Sequence, residues 1–238
     1  MATLRGYWAL VAALGAAQAG ESLIAPGGIA ALAFHGAQAH ASVLPTDGPD
    51  GAGNAIRVVV RDTTTAGALQ LRTLNTLPAM ADQPCLISFQ ARMVVPAVAE
   101  SDTGDVRVVV EHHQAPFVKS LAARVILRRE WQEFHLPFRI RTRANTPFAE
   151  AYAPGTLRVG FHLGGRPQGI ELADFRAILH GQEVPLESLP RTLLTYEGRE
   201  ADAPWRQAAA ERIRQHRMAD LTVRVVDEIG RASCRERV

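Results

Sequence analysis

The chain has 238 residues, 47 % of them hydrophobic, enough for one large domain or two small ones with a folded core. Its formal charge of +2 sits at its ends: Arg5 carries one positive charge, Glu228–Val238 carries a surplus of one more, and residues 20–227 are neutral. A neutral body offers no basic footprint for nucleic acid. With Cys234 in the tail, its one cysteine, Cys85, allows no internal disulfide and no paired metal spacing.

Residues 1–19 carry Arg5, an apolar run from Tyr7 to Ala17, and small residues at Ala17 and Ala19. That is the pattern of a secretory signal, too short for a membrane span, and it leads us to expect a secreted or periplasmic protein with no membrane span after cleavage. Residues 20–54 are expected to hold an N-terminal segment and the first strand or strands of a β-sandwich. From Ala55 to about Glu187 apolar and polar residues alternate with period two. Ile56, Val58 and Val60 alternate with Arg57 and Arg61, and Leu69 and Leu71 with Gln70 and Arg72. Ile87, Phe89, Ala91 and Met93 alternate with Ser88, Gln90 and Arg92. Val106, Val108 and Val110 alternate with Arg107 and Glu111, and Leu157, Val159, Phe161 and Leu163 with Arg158 and His162. Turn clusters such as DGPDGAGN, ESDTGD and APGT separate the runs. This pattern predicts half-buried antiparallel strands with no interrupting helix, hence an all-β jelly-roll β-sandwich over residues 55–190. Cys85 opens an apolar strand and is read as a small buried hydrophobe.

Residues 191–227 differ in character. LESLPRTLLTYEGRE is a polar, proline-containing connection. Asp202 then suits an N-cap, Pro204 a first turn, and Trp205, Ala209 and Ile213 recur at helical spacing, so a helix is predicted. Leu221–Val226, LTVRVV, reads as a short strand after it.

Several stretches carry a family resemblance. FHLGGRPQGIELADF (Phe161–Phe175) resembles the closing strands of the galactose-binding-like modules that precede family 10 glycoside hydrolase catalytic domains, similar to carbohydrate-binding modules of families 4, 9 and 22. CLISFQARM resembles the central strand of such a module, KSL (Lys119–Leu121) a connecting element and EWQEFHLPF (Glu130–Phe138) a later strand. YEGREADAPWRQAAAERIRQHR resembles the helix leading to the catalytic part, and LTVRVVD the strand after it. The last eleven residues, EIGRASCRERV (Glu228–Val238), resemble translated sequencing-adapter read-through, and they are expected to be no part of the natural protein. The resemblance implies a parent endo-1,4-β-xylanase-like hydrolase acting on plant cell-wall polysaccharide. Its two carboxylates would sit on a (β/α)₈ barrel of about 250 residues. Too few residues follow Tyr196 for that barrel, so the fragment is expected to be non-catalytic, its partner the catalytic domain of the same polypeptide. Glu197 and Glu200 lie in the connector and are given no catalytic role.

What remains is binding of a xylan-like polysaccharide. The polar positions of the alternating strands define a candidate face: Gln70, Arg72, Gln90, Arg92, Glu111 and His162. Planar amide, guanidinium and carboxylate groups suit paired contacts to neighbouring hydroxyls, although the same positions also describe the solvated side of any antiparallel sheet. An accessory domain that packs on the catalytic barrel without binding sugar is the second reading. Family members often carry an aromatic residue where Gln90 stands. Trp131 and Phe134 lie at opposite parities of one strand, and Trp131 is read as a core or edge-packing residue. His112 and His113 point to opposite faces and are not read as a chelating pair. Asp47 and Asp50 in DGPD offer loop carboxylates for a structural calcium ion, or simply make a turn. No other cofactor is expected.

Overall fold

A computed structural model describes residues 20–49, 51, 54–96, 103–143, 150–194 and 203–217. Thirteen strands run through the described residues: β1 (Glu21–Ser22), β2 (Ala33–His35), β3 (Ala41–Thr46), β4 (Ala55–Val60), β5 (Gln70–Leu74), β6 (Ala79–Met80) and β7 (Pro84–Val95), then β8 (Gly104–His112), β9 (Lys119–Leu127), β10 (Gln132–Arg139), β11 (Ala151–Tyr152), β12 (Leu157–His162) and β13 (Gln168–Leu179). Every pairing between them is antiparallel. The first sheet has the order β10-β7-β13-β4-β3, with β1 pairing the far end of β13. The second has the order β2-β5-β12-β8-β9, and β6 and β11 form a separate two-stranded ribbon. Sequence neighbours thus cross between sheets, which is the jelly-roll β-sandwich predicted from the alternation.

The alternation explains why these segments pair. The longer strands turn most of their apolar positions inward, and aromatic rings from both sheets meet between them. Phe89 of β7 stacks on Phe134 of β10 at 5.1 Å and meets Phe161 of β12 edge-on at 5.1 Å. Phe175 of β13 closes the cluster against Phe161, also at 5.1 Å. All four rings are buried, as is Cys85, whose thiol is pushed upward in pKa by desolvation. Gln168 clamps the two sheets: its side chain accepts from the backbone N–H of Asp105 at 3.0 Å and donates to the carbonyl of Asp105 at 2.6 Å. Asn75, also buried, donates to the carbonyls of Leu77 and Ala153 and accepts from the N–H of Leu157, so its burial is compensated.

One expectation needs correction. KSL (Lys119–Leu121) is the start of β9 rather than a connector. A register shift between Val110 and Glu111, opposite it, breaks the parity that would have marked it as a strand. Residues 20–54 supply the first strands of the sandwich, and the unit runs on past residue 190. β1, β2 and β3 belong to it, and Thr192 exchanges hydrogen bonds with the backbone of His135 on β10.

The chain separates into two units at 195/196. In the second, the described element is α1 (Pro204–Arg217), the predicted helix. Its last turn holds Arg214, His216 and Arg217, which suit the negative end of the helix dipole. Glu211 pairs with Arg214 at 2.9 Å and accepts from Gln215. Trp205 and Ile213 are both exposed. The Asp202 cap and the LTVRVV strand lie outside the described residues.

Candidate functional site

The outer face of the second sheet is built in three cross-strand rows, fixed by register. His35, Gln70, His162, Arg107 and Arg124 form the first. Ala33, Arg72, Gly160, Val109 and Ala122 form the second. Leu74, Arg158, Glu111 and Lys119 form the third. Long polar side chains therefore flank a row whose centre is Gly160 and Val109. Val109 is buried yet stands apart from the main core cluster, as a floor residue should. Gly160 has φ +156, and a Cβ there would collide with the Leu71 carbonyl oxygen and come within 2.8 Å of Arg72 Cα. Glycine lets β5 and β12 close up beneath this face.

Glu111 is the electrostatic centre. It is 4 % exposed, pairs with Lys119 Nζ at 2.9 Å, and has Arg158 Nη1 and His162 Nε2 each at 3.8 Å. Burial alone would raise its pKa, but the hydrogen bonds and charges of His162 and Lys119 outweigh that and hold it at about 2. It is ionised throughout the neutral range, an acceptor and not an acid. Asp105, six residues away on the same strand, is paired with Arg124 at 2.8 Å and with Arg166. At a rise of about 3.4 Å per residue the two carboxylates lie roughly 20 Å apart, against the ~5–9.5 Å that glycoside hydrolysis needs. Asp105 and Glu111 are therefore too far apart to act together as a glycosidase pair.

Among the described residues, the buried polar atoms without a hydrogen-bond partner at the centre of the face include Gln70 Oε1, Arg72 Nε and Arg158 Nε. Gln70 is oriented by donating from Nε2 to the carbonyl of Gly67 at 2.7 Å, which leaves its oxygen to accept. Desolvation and then Arg158 lower the pKa of Arg72, and desolvation followed by Arg72 and Arg158 lowers that of His35. Burial is the larger cause in both, and the neighbouring guanidinium charges add to it. At the edge, the β8–β9 turn presents Phe117, 42 % exposed, with φ +52 and the Arg158 guanidinium 5.7 Å from its ring centre. Phe117 and Leu74 are the exposed apolar groups beside Arg158. A hollow of about 250 Å³ lies at the other end, lined by Arg107, Arg124, His162 and Arg166 among others.

The six residues expected on one face are divided. Gln70, Arg72, Glu111 and His162 converge on the second sheet, but Gln90 and Arg92 stand on β7, in the first sheet. Alternation assigns a residue to the outside of its own strand, not to a particular sheet. Arg92 is moreover committed there. It pairs with Glu171 at 2.6 Å, and its guanidinium lies 4.9 Å from the ring centre of half-buried Trp131. Glu171 is fully buried and also receives Arg57, at 2.6 Å. Phe117 and Arg158 were missed because a turn residue carries no periodicity, and Arg158 reads only as a polar position. The low aromatic content, 6 %, was the available signal for examining each ring in turn.

Elsewhere, His112 stacks on Tyr152 at 5.4 Å and lies 5.1 Å from the His113 ring. Among the described residues no group of three or more His, Cys, Asp or Glu is placed to hold a metal. Asp50 lies outside them, so the DGPD expectation rests on sequence alone. Among the same residues no helix is long and apolar enough to cross a membrane.

No protein-family model matches the sequence, and no curated protein matches it. Solved structures do resemble it in part. A family 4 carbohydrate-binding module is 16 % identical over 63 % of this chain and 86 % of its own, with a TM-score of 0.44. The N-terminal cellulose-binding domain of Cellulomonas fimi β-1,4-glucanase C is 20 % identical over 65 % of this chain and 97 % of its own, TM-score 0.40. The CBM22-1 and GH10 modules of Clostridium thermocellum endo-1,4-β-D-xylanase 10B, complexed with xylohexaose, are 11 % identical over 70 % of this chain and 28 % of that one, TM-score 0.43.

Proposed function

We propose that this chain is a non-catalytic carbohydrate-binding module that lays a polysaccharide along the outer face of its second sheet. The observation that carries the reading is the set of unpartnered buried atoms, Gln70 Oε1, Arg72 Nε and Arg158 Nε, beside the exposed Phe117 ring. Leaving such a group unsatisfied costs about 1–3 kcal/mol, and vicinal hydroxyls of a sugar offer the missing donors and acceptors. Phe117 offers an apolar face for a pyranose ring. Glu111 and His162 are held beside these groups as further acceptor and donor.

The resemblance of Phe161–Phe175 and of the connector supports a finer reading. The module is exported on residues 1–19, belongs to a xylan-degrading hydrolase, and takes plant cell-wall polysaccharide. Native gels containing soluble xylans or β-glucans test the binding. The full chain is expected to be retarded, and Gln70→Ala together with Phe117→Ala to restore free migration, while Gln90→Ala, on the first sheet, leaves retardation unchanged. Free migration of the wild-type chain in every gel would sink the reading.

A further inference from the structure

We infer that the polysaccharide taken by this face is acidic, its carboxylate received between Arg72 and Arg158. The inference rests on the polysaccharide-binding reading and names the ligand's chemistry. Among the described residues, Arg72, Arg107, Lys119, Arg124, Arg158 and Arg166 stand on the face and its edge against Asp105 and Glu111, a surplus of four positive charges there. The whole chain carries +2, so the charge is concentrated here and balanced elsewhere. Both carboxylates are already engaged, Glu111 with Lys119 and Asp105 with Arg124 and Arg166.

The first sheet shows what a completed arrangement looks like in this protein. There Arg57 and Arg92, from strands on either side of β13, both turn their Nε edges onto Glu171, at 2.8 and 2.6 Å. On the second sheet Arg72 and Arg158, from neighbouring strands β5 and β12, leave their Nε atoms buried and unpartnered, and Arg158 reaches Glu111 only at 3.8 Å. Glu111, drawn to Lys119 at 2.9 Å, meets this second pair only through Arg158 and does not bridge it as Glu171 bridges the first. A guanidinium edge matches the two oxygens of a carboxylate. Sugar hydroxyls alone would satisfy the hydrogen bonds but leave the charges of Arg72 and Arg158 only partly offset by Glu111. A hexuronate in the glycan supplies both.

The test uses glucuronic-acid-substituted xylan and the same polymer with its uronic acids reduced to neutral sugars, with binding to the full chain measured by calorimetry. The acidic form is expected to bind at least tenfold more tightly, and added salt to narrow the gap. Arg72→Gln and Arg158→Gln are each expected to abolish the preference. Arg72→Lys, which keeps the charge but not the fork, weakens it as well. Arg176→Gln, the same charge change at an exposed position of β13 in the first sheet, leaves it intact, and circular dichroism checks that each variant is folded. Equal affinity for both polymers overturns the inference and leaves the polysaccharide reading standing. Binding of dextran sulfate or single-stranded DNA as tight as that of the acidic xylan also overturns it, since the face would then be a general polyanion surface. No binding to either xylan overturns both.

Discussion

Phe117→Gly separates a residue kept for binding from one kept for folding. Phe117 sits at φ +52, where a side chain costs about 1–2 kcal/mol that glycine does not incur. Its ring is 42 % exposed, so the fold gains from it only a little over half of what full burial gives a phenylalanine, about 1–1.5 kcal/mol. Glycine adds about 0.4–1 kcal/mol of unfolded-state entropy. The three contributions nearly cancel, so the variant should lie within about 1 kcal/mol of wild type, against about 3–5 kcal/mol for removing a core phenylalanine such as Phe161. Phe117→Ala keeps the backbone strain and should be no more stable than Phe117→Gly. Binding behaves differently. A sugar covering the exposed remainder of the ring contributes about 1 kcal/mol, so affinity for the polysaccharide should fall roughly fivefold in both variants. Urea unfolding followed by tryptophan fluorescence gives the first quantity and calorimetry the second. A loss of stability near 3 kcal/mol, or an unchanged affinity, would refute the reasoning.

Other consequences follow from the same geometry. Glu111 has its pKa held at about 2 from its usual 4.5, so its contribution is complete above pH 4.5 and is lost as pH falls toward 2. That difference corresponds to about 3 kcal/mol. Screening on the Lys119 side, 42 % exposed, reduces the expected share to about 2 kcal/mol. Glu111→Gln should therefore lower the urea midpoint at pH 7 and flatten its decline between pH 4.5 and 2; an unaltered decline would contradict the assignment. Gly160→Ala forces β5 backbone to move and should cost about 2–3 kcal/mol along with binding, whereas Gly155→Ala, at φ +80 with open space around it, should cost about 1 kcal/mol. Glu171→Gln removes the shared partner of Arg57 and Arg92 and should destabilise the fold by about 1–3 kcal/mol, since both arginines can reach water. Polysaccharide affinity should be unchanged in that variant, because Glu171 belongs to the other sheet; a parallel loss would implicate the wrong face.

How legible each part was depends on whether its signal is local. β4, β5, β7, β8 and β12 announce themselves because one face of each is apolar at every second position. β1, β2, β6 and β11 are two or three residues long, too short to show a period. β13 lies between two strands and hides Glu171 among its apolar residues, so alternation gives way to burial on both sides of the strand. The outward polar residues were likewise visible one strand at a time. Their grouping was not, because Gln90 and Arg92 join the other sheet only through the pairing of β7 with β10 and β13. Overall neutrality concealed the charged face for the same reason: composition sums over both sheets, and the register separates them. Phe117 owes its place to a turn, and no pattern of spacing points to a turn.

The central claim is that the second sheet's outer face binds the glycan. The most direct measurement is amide and side-chain chemical-shift perturbation in the full chain titrated with a soluble acidic xylo-oligosaccharide. The account predicts shifts concentrated at Gln70, Arg72, Val109, Phe117, Arg158 and His162, with Ser88, Gln90, Arg92 and Arg176 unmoved. Saturable shifts centred on the first sheet would contradict it.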